Sequence, residues 1–192
     1  MECAQNSLVY SENGGDAPAR LVLAATGSGR GKTTIVSALL ALLARKHTDV
    51  RAFKCGPDYI DPMFHETMIG VPSKNLDPFF CGEELLKASF WEDHGEINII
   101  EGVMGLYDGI GMTGKSSTYE TACMLKAPIV LCIDARGMGR SILAEIKGFL
   151  SMDEESLIRG VFLNRVSEGY FAKLAPWLEE ELGIPVVGIP AT

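Results

Sequence analysis

The amino-acid sequence predicts an α/β fold of three layers, in which helices cover both faces of a mostly parallel central sheet. Short apolar runs rich in β-branched residues alternate with longer helical patterns along the chain. Most of these short runs are continuously apolar, which is typical of strands buried on both faces of a parallel sheet. With 192 residues, 47% of them hydrophobic and 22% charged, the chain has the size and composition of one globular domain.

Strands and helices alternate in the predicted order. The strands are Leu21 to Ala25, Val50 to Lys54, Ile97 to Glu101, Ile129 to Asp134, Gly160 to Asn164 and Val186 to Gly188. The helices are Lys32 to His47, Gly82 to Trp91, Thr118 to Leu125, Ser141 to Leu150 and Tyr170 to Leu182. The first helix is apolar nearly all round and should lie against the sheet, ending in Arg45, Lys46 and His47, where the helix dipole favours cations. The capping box "STYE" at residues 117–120 predicts the start of the third helix.

Composition excludes several classes of protein. No apolar run is long enough to cross a bilayer, and the first twenty residues do not resemble a signal peptide, so we expect a cytoplasmic protein with a flexible tail over residues 1–19. The net charge of −8 disfavours a nucleic acid or an anionic membrane as a partner. The five cysteines form no Cys-x-x-Cys pair, so we expect reduced thiols that serve mainly in packing.

A glycine-rich loop, "TGSGRGKTT", lies between the first strand and the first helix. Such a loop brings backbone N–H groups and a helix N-terminus onto a phosphate chain, while a lysine reaches the outer phosphates and a hydroxyl binds Mg²⁺. The sequence departs from the usual P-loop pattern, because Thr26 stands where the first glycine is expected. We therefore predict a P-loop NTPase fold with ATP and Mg²⁺ as cofactors. The nucleotide-binding candidates are Gly27, Ser28, Gly29, Arg30, Gly31, Lys32, Thr33 and Thr34.

Charged clusters follow three further strands, at the sheet edge where open α/β sheets bind ligands. They are Asp58, Tyr59 and Asp61 after the second strand, Glu101 and Asp108 at and after the third, and Asp134, Arg136 and Arg140 at and after the fourth. A single aspartate at a strand end is usually a cap or turn residue. Because three clusters meet one phosphate loop, we predict instead that Asp58 or Glu101 binds Mg²⁺ beside Thr33.

Five segments identify a family resemblance. "TGSGRGKTT", "FKCGPDYIDPMFH", "PSKNLDPFF", "IIEGVMGLYDG" and "IDARGMGRS" resemble the ATP-binding domain of cobyrinic acid a,c-diamide synthases. The resemblance runs from about residue 21 to the end of the chain and implies a fold like that of dethiobiotin synthetase. It also implies a reaction in which ATP phosphorylates a corrin carboxylate and ammonia from glutamine displaces the phosphate.

The resemblance assigns roles to several residues. The catalytic candidates are Lys32, Asp58, Asp61, Glu101 and Asp108, and the metal ligands are Thr33, Asp58 and Glu101. The substrate candidates are Tyr59, Asp61, Asp108 and Arg136. Asn164 resembles an asparagine that binds adenine in related enzymes, although a role as a strand-end turn residue fits the sequence equally well.

The expected organisation is one ATP-binding amidoligase domain over residues 20–192 without a glutamine amidotransferase domain, because no cysteine lies in a nucleophile-like context. The expected partners are a tetrapyrrole substrate and a glutamine amidotransferase domain or subunit, and a homodimer is left open. Two alternatives remain: the same amidation of nickel-sirohydrochlorin, and a switch ATPase of the partition or positioning class. The second is disfavoured because that class carries a lysine where this chain has Gly27.

Overall fold

A computed structural model describes residues 18–46 and 49–188, which form a seven-stranded parallel sheet flanked by helices. The strands are β1 (Ala19–Ala25), β2 (Val50–Cys55), β3 (Ser73–Leu76), β4 (Ile97–Glu101), β5 (Ile129–Asp134), β6 (Ile158–Asn164) and β7 (Val186–Gly188). The helices are α1 (Lys32–Ala44), α2 (Ile60–Phe64), α3 (Pro78–Asp93), α4 (Thr118–Leu125), α5 (Ser141–Ser151) and α6 (Glu168–Leu182), and a π-helical turn, His65–Ile69, follows α2 directly. The strand order is β3-β2-β4-β1-β5-β6-β7. The predicted three-layer α/β fold is confirmed.

Both faces of the sheet are buried, which explains the continuous apolar strands. On one face α1 packs against the sheet through residues such as Leu40, as predicted. On the other face α3 to α6 contribute Phe90, Leu178 and other buried side chains. Neighbouring residues of β1 enter opposite layers, Leu23 on the α1 side and Ala24 on the other. Most positions of such a strand are therefore apolar.

Several predicted boundaries are wrong. Three elements of the structure were not predicted from the sequence: β3, α2 and the π-helical turn. Helix α3 begins at Pro78 rather than Gly82, and Gly82 instead forms a kink inside it with φ 68°. Helix α1 ends at Ala44, so Arg45 lies beyond its last turn, and His47 lies outside the described residues.

The remaining expectations concern the chain start, the thiols and the membrane. The tail predicted over residues 1–19 lies outside the described residues up to residue 17, and Ala19 pairs with Ile97 as part of β1. The four cysteines within residues 18–46 and 49–188 are unpaired, with Cys55 and Cys132 in the core. Among the helices described, none has the length and apolar character needed to cross a bilayer.

The parallel topology collects the functional loops. The loops after β1, β2, β4, β5 and β6 all leave the carboxyl edge of the sheet. Half of the predicted capping box forms, because the backbone N–H of Glu120 donates to Ser117 Oγ at 3.1 Å, whereas the Glu120 carboxylate accepts from the N–H of Ser116 rather than from that of Ser117. Helix α4 is thereby fixed beside the loop that follows β4, which Thr118 holds through hydrogen bonds to both backbone groups of Val103.

Candidate active site

The loop between β1 and α1 adopts a conformation that requires glycine. Gly29 and Gly31 have φ of +72° and +95°, and Gly31 is the N-cap of α1. A Cβ on Gly31 would lie 2.3 Å from Asn164 Nδ2, so that position is closed to side chains for steric reasons as well. A Cβ on Gly27 would have its nearest neighbour at 3.8 Å, which shows that the unusual placing of this glycine leaves the loop uncrowded there.

Lys32, the first residue of α1, points its ammonium back into the loop. The side chain is buried, and Nζ donates to the carbonyl oxygens of Gly27, at 3.3 Å, and of Met104. Burial, together with the positive charge of Lys54, lowers the pKa of Lys32. Two neutral carbonyls are weak partners for a buried cation, so this ammonium favours an anion such as a phosphate.

Lys54, which was not predicted as a site residue, is the centre of the acidic cluster. Its Nζ lies 2.8 Å from Asp61 Oδ2, 3.0 Å from Glu101 Oε1 and 3.9 Å from Asp58 Oδ2. Lys54 and Glu101 are direct partners in the register of β2 and β4, so the sheet itself sets this pair. The structure thus brings the predicted Asp58, Asp61 and Glu101 around a lysine at the end of β2.

Charges in this cluster shift one another's pKa values. Burial disfavours the charged form of Lys54, but Glu101 and Asp61 outweigh burial and raise the pKa of the ammonium. Burial likewise opposes ionisation of Asp61, yet Lys54 lowers the pKa of that carboxyl. For Glu101 burial prevails over Lys54 and Thr33, and its pKa is raised. The Glu101 carboxylate therefore needs more positive charge than Lys54 alone supplies.

Two of the three predicted metal ligands are in contact. Thr33 Oγ1 donates to Glu101 Oε1 at 2.6 Å, and Glu101 Oε2 is buried without a hydrogen-bond partner in the described part of the chain. A hydroxyl and an unsatisfied carboxylate next to a phosphate loop suit Mg²⁺, which takes few protein ligands and completes its shell with water and phosphate oxygens. The residues present therefore fit the ion through Thr33 and Glu101.

The third predicted ligand, Asp58, has a different local partner. Its Oδ1 accepts from the backbone N–H of Ile60 at 2.9 Å and of Asp61 at 3.4 Å, which caps the first turn of α2. This is the turn-forming role that is usual for an aspartate at a strand end. Tyr59 and Ile60 project into solvent beside it, Tyr59 being 81% exposed.

Asp108 holds the loop after β4 rather than the Lys54 cluster. Its Oδ2 accepts from the N–H of Gly105 at 2.8 Å, and a Cβ on Gly105 would lie only 2.6 Å from that oxygen. The same loop carries the Met104 carbonyl that binds Lys32. Asp108 thus stabilises a loop that contacts Lys32, and within the described residues its carboxylate bonds to that loop rather than to the phosphate loop itself.

Arg136 belongs to a second set of charged residues, which lies at the ends of β5 and β6. Asp134 Oδ2 accepts from Arg136 at 3.0 Å and from Arg165 at 2.7 Å. Asn164 donates through Nδ2 to the carbonyl of Arg30 at 2.8 Å and accepts through Oδ1 from the N–H of Arg165. Among the described residues, the hydrogen bonds and ion pairs of Arg136 are with Asp134 and include none of the other substrate candidates.

Replacing Asp134 with asparagine is expected to lower the free energy of unfolding at neutral pH by at most about 2 kcal/mol. Burial would raise the pKa of Asp134, but hydrogen bonds from Arg136 and Arg165 outweigh it and lower the pKa to about 2. A lowered carboxyl pKa adds stability above its ordinary value of 3.8, and that stability is lost as pH falls towards about 2. Urea unfolding across this range should show the difference between the two proteins shrinking with acid. A difference that stays constant down to pH 2 would contradict the ion-pair account.

Comparison with known proteins adds a family and several relatives. The family model described as the CobQ/CobB/MinD/ParA nucleotide binding domain matches residues 21–192. The chain is 45% identical over 160 residues to cobyrinate a,c-diamide synthase of Clostridium acetobutylicum, covering 83% of this chain and 37% of the relative. It is 42% identical over 184 residues to hydrogenobyrinate a,c-diamide synthase of Streptomyces coelicolor, covering 93% of this chain and 37% of the relative. The chain thus spans little more than a third of the length of these curated relatives.

Solved structures agree on the fold alone. The signal recognition particle receptor FtsY of Elizabethkingia anophelis superposes with a TM-score of 0.67 at 14% identity, covering 93% of this chain and 61% of that one. Chloroplast FtsY of Physcomitrella patens gives a TM-score of 0.65 at 16% identity, with the same shares covered. The fold is therefore shared with proteins whose sequences are very different.

Proposed function

Because the chain belongs to the CobQ/CobB/MinD/ParA nucleotide-binding domain family, we propose that it is the ATP-using part of a cobyrinate a,c-diamide synthase. In this proposal it amidates the a and c carboxylates of cobyrinic acid in cobalamin biosynthesis, through acyl phosphates and with ammonia derived from glutamine. The relatives support the substrate class, since those named above are diamide synthases of cobyrinate and hydrogenobyrinate. A glutamine amidotransferase domain or subunit is the proposed source of ammonia.

The observation that carries the proposal is that one side chain contacts both the phosphate loop and Lys54. Thr33 binds Glu101, and Glu101 binds Lys54, so one buried carboxylate touches both the loop and the cluster. Lys54 contacts Glu101, and the Lys32 ammonium is close enough to both residues for their charges to shift its pKa. Two anions, the γ-phosphate and a substrate carboxylate, must approach each other in this reaction, and fixed cations lower the cost of that approach.

In the proposed first step Lys32 holds the outer phosphates and Lys54 orients the substrate carboxylate. A carboxylate oxygen attacks the γ-phosphorus, the bond to ADP breaks, and an acyl phosphate forms. Ammonia then attacks the acyl carbon, and phosphate and a proton leave as the amide forms. When bound by Thr33 and Glu101, Mg²⁺ would neutralise part of the phosphate charge. Thr33, like Lys32, thus serves the nucleotide, while Lys54 serves the substrate.

The proposed substrate surface consists of exposed apolar side chains beside the cluster around Lys54. Tyr59, Ile60 and Met63 are large, apolar and exposed, and they flank Asp61, which contacts Lys54. Exposed apolar groups next to a charged site suit a ligand with a broad apolar ring and acidic arms. A tetrapyrrole macrocycle has this character.

Asparagine substitutions should separate the roles of Asp58 and Asp61. Asp61→Asn removes the closest carboxylate partner of Lys54, so amide formation should fall at least about tenfold while ATP affinity stays unchanged. Asp58→Asn retains a side-chain oxygen that can cap α2, so its effect on amide formation should be smaller. If Asp61→Asn forms diamide at the wild-type rate, or weakens ATP binding as much as turnover, Asp61 has no substrate role.

A panel of ligands tests the proposed function against its rivals. ATP turnover should rise with cobyrinic acid and ammonia, and amide products should be detected by mass spectrometry. Stimulation by nickel-sirohydrochlorin alone would assign the same chemistry to another tetrapyrrole. Stimulation by DNA or lipid without any amide product would favour the partition or positioning ATPases, which belong to the same nucleotide-binding family description.

A further inference from the structure

We infer that His65 is a positioning residue that orients Glu101 for the metal-bound nucleotide, and this inference rests on the proposed role of Glu101 as a metal ligand. His65 Nε2 and Glu101 Oε2 face each other at 3.8 Å, and both side chains are 0% exposed. Neither atom has a hydrogen-bond partner within residues 18–46 and 49–188. The two atoms are complementary, since an imidazole N–H donates and a carboxylate oxygen only accepts.

His65 Nε2 and Glu101 Oε2 are not bonded to each other in this structure. At 3.8 Å they are too far apart for a hydrogen bond, which an N–H and an oxygen form at about 2.7–3.2 Å. A buried polar group without a partner is unfavourable, and in this arrangement both atoms are in that state. A small movement of Glu101 on nucleotide binding would pair them. The free energy gained would then favour the bound arrangement.

The ring of His65 is held from its other side. Nδ1 lies 3.2 Å from Ser73 Oγ, and the backbone carbonyl of His65 accepts from the N–H of Val71 at 3.1 Å. Glu66, the next residue, accepts from the N–H of Ser73 at 3.3 Å, which ties the π-helical turn to the start of β3. Single π-helical turns are frequent at functional sites, and here the turn begins at His65 itself.

Ser73 is compatible with the tautomer of His65 that the bond to Glu101 requires. A neutral imidazole has one N–H, and only a hydrogen on Nε2 can be donated to Glu101. The Ser73 hydroxyl must then donate to Nδ1, which satisfies every polar atom in the series from Ser73 through His65 to Glu101. Glu101 Oε1 is already bound by Thr33 and Lys54, so a bond from His65 to one lone pair of Oε2 would fix the orientation of the carboxylate and leave the other lone pair of Oε2 for the metal.

Two substitutions of similar size distinguish this role from simple packing. The side-chain nitrogen of glutamine can occupy the position of Nε2, whereas that of asparagine reaches only the position of Nδ1. We therefore expect His65→Gln to retain most of the affinity for ATP with Mg²⁺. We expect His65→Asn to lose about 10–100-fold, the usual cost of removing a group that orients a metal ligand. ATP affinity measured in EDTA should be unchanged in both variants.

Three further variants complete the experiment, which measures ATP binding by calorimetry with Mg²⁺ and with EDTA. Ser73→Ala should weaken the Mg²⁺-dependent affinity less than His65→Asn, because it frees the ring without removing the donor. His94→Gln, a substitution of an exposed histidine, should have no effect. Glu101→Gln should weaken binding with Mg²⁺ more than binding in EDTA, and it tests the metal site independently.

The outcomes separate the two hypotheses. If Glu101→Gln shows the Mg²⁺-specific loss but the two His65 variants bind alike, the role of His65 is overturned and the metal site stands. Equal losses with and without Mg²⁺, accompanied by a lower thermal midpoint, would show that His65 only packs the core and would also overturn the inference. If Glu101→Gln itself shows no Mg²⁺-specific loss, the proposed metal ligand fails.

Discussion

Replacing Lys54 with methionine is expected to abolish amide formation and to lower the free energy of unfolding by about 3–5 kcal/mol. The ammonium contacts Glu101 and Asp61, and the Glu101 side chain is 0% exposed. Removing the cation leaves a buried carboxylate without its charged partner, which is the costly way to break a buried ion pair. The chemical defect follows because Lys54 is the group proposed to hold the substrate carboxylate beside Glu101.

A double substitution separates the two effects of Lys54. Adding Glu101→Gln removes the uncompensated charge, so Lys54→Met with Glu101→Gln should recover most of the lost stability in urea unfolding and none of the amide formation. Lys74→Met is the matched control, because Lys74 is an exposed lysine that pairs with Asp93 at the surface, where an ion pair contributes little. Amide formation at the wild-type rate in Lys54→Met would refute the substrate role of Lys54.

Replacing Lys32 with alanine is expected to lower ATP turnover at least about a hundredfold, the usual loss when one preorganised group that stabilises transition-state charge is removed. The thermal midpoint of the ligand-free protein should change little, because Lys32 binds two backbone carbonyls and lies near the like charge of Lys54. Phosphate release and thermal unfolding measure the two quantities. The surface variant Lys87→Ala, which breaks only the pair with Glu83, should change neither. A large loss of ligand-free stability in Lys32→Ala would mark the residue as structural.

The fold could be predicted because the strands are buried on both faces. A run such as Ile129–Asp134 is mostly apolar for that reason, and both Ile97–Glu101 and Ile129–Asp134 were predicted with the bounds that the structure has. Strand β3 was missed because it is a short edge strand, "SKNL", with a polar composition and an exposed Lys74. Helix α2 was missed because Asp61 and Pro62 are typical of turns.

The site could be predicted only as separate pieces. Pairing between Lys54 and Glu101 depends on β2 and β4 being neighbours in the sheet, although β3 and α3 separate them in the sequence. A lysine at the end of an otherwise apolar strand was the available signal for Lys54, since buried lysines are rare without a partner. His65 gave no such signal, because its inferred role depends on Glu101, which is distant in sequence and lies beside it only in the fold. Conversely, Asp108 and Arg136 were predicted to contact substrate, whereas in the structure Asp108 bonds to Gly105 of its own loop and Arg136 pairs with Asp134 at the end of β5.

Transfer of oxygen-18 from the substrate would show whether ATP phosphorylates a carboxylate in this reaction. Cobyrinic acid labelled in its carboxylate oxygens would be incubated with the protein, ATP, Mg²⁺ and ammonia, and the inorganic phosphate and nucleotides analysed by mass spectrometry. If Lys32 and Lys54 bring a carboxylate oxygen onto the γ-phosphorus, one labelled oxygen should appear in inorganic phosphate for each amide formed. Label in AMP, or amide formation with unlabelled phosphate, would contradict the proposed acyl phosphate and with it the assignment of these two lysines.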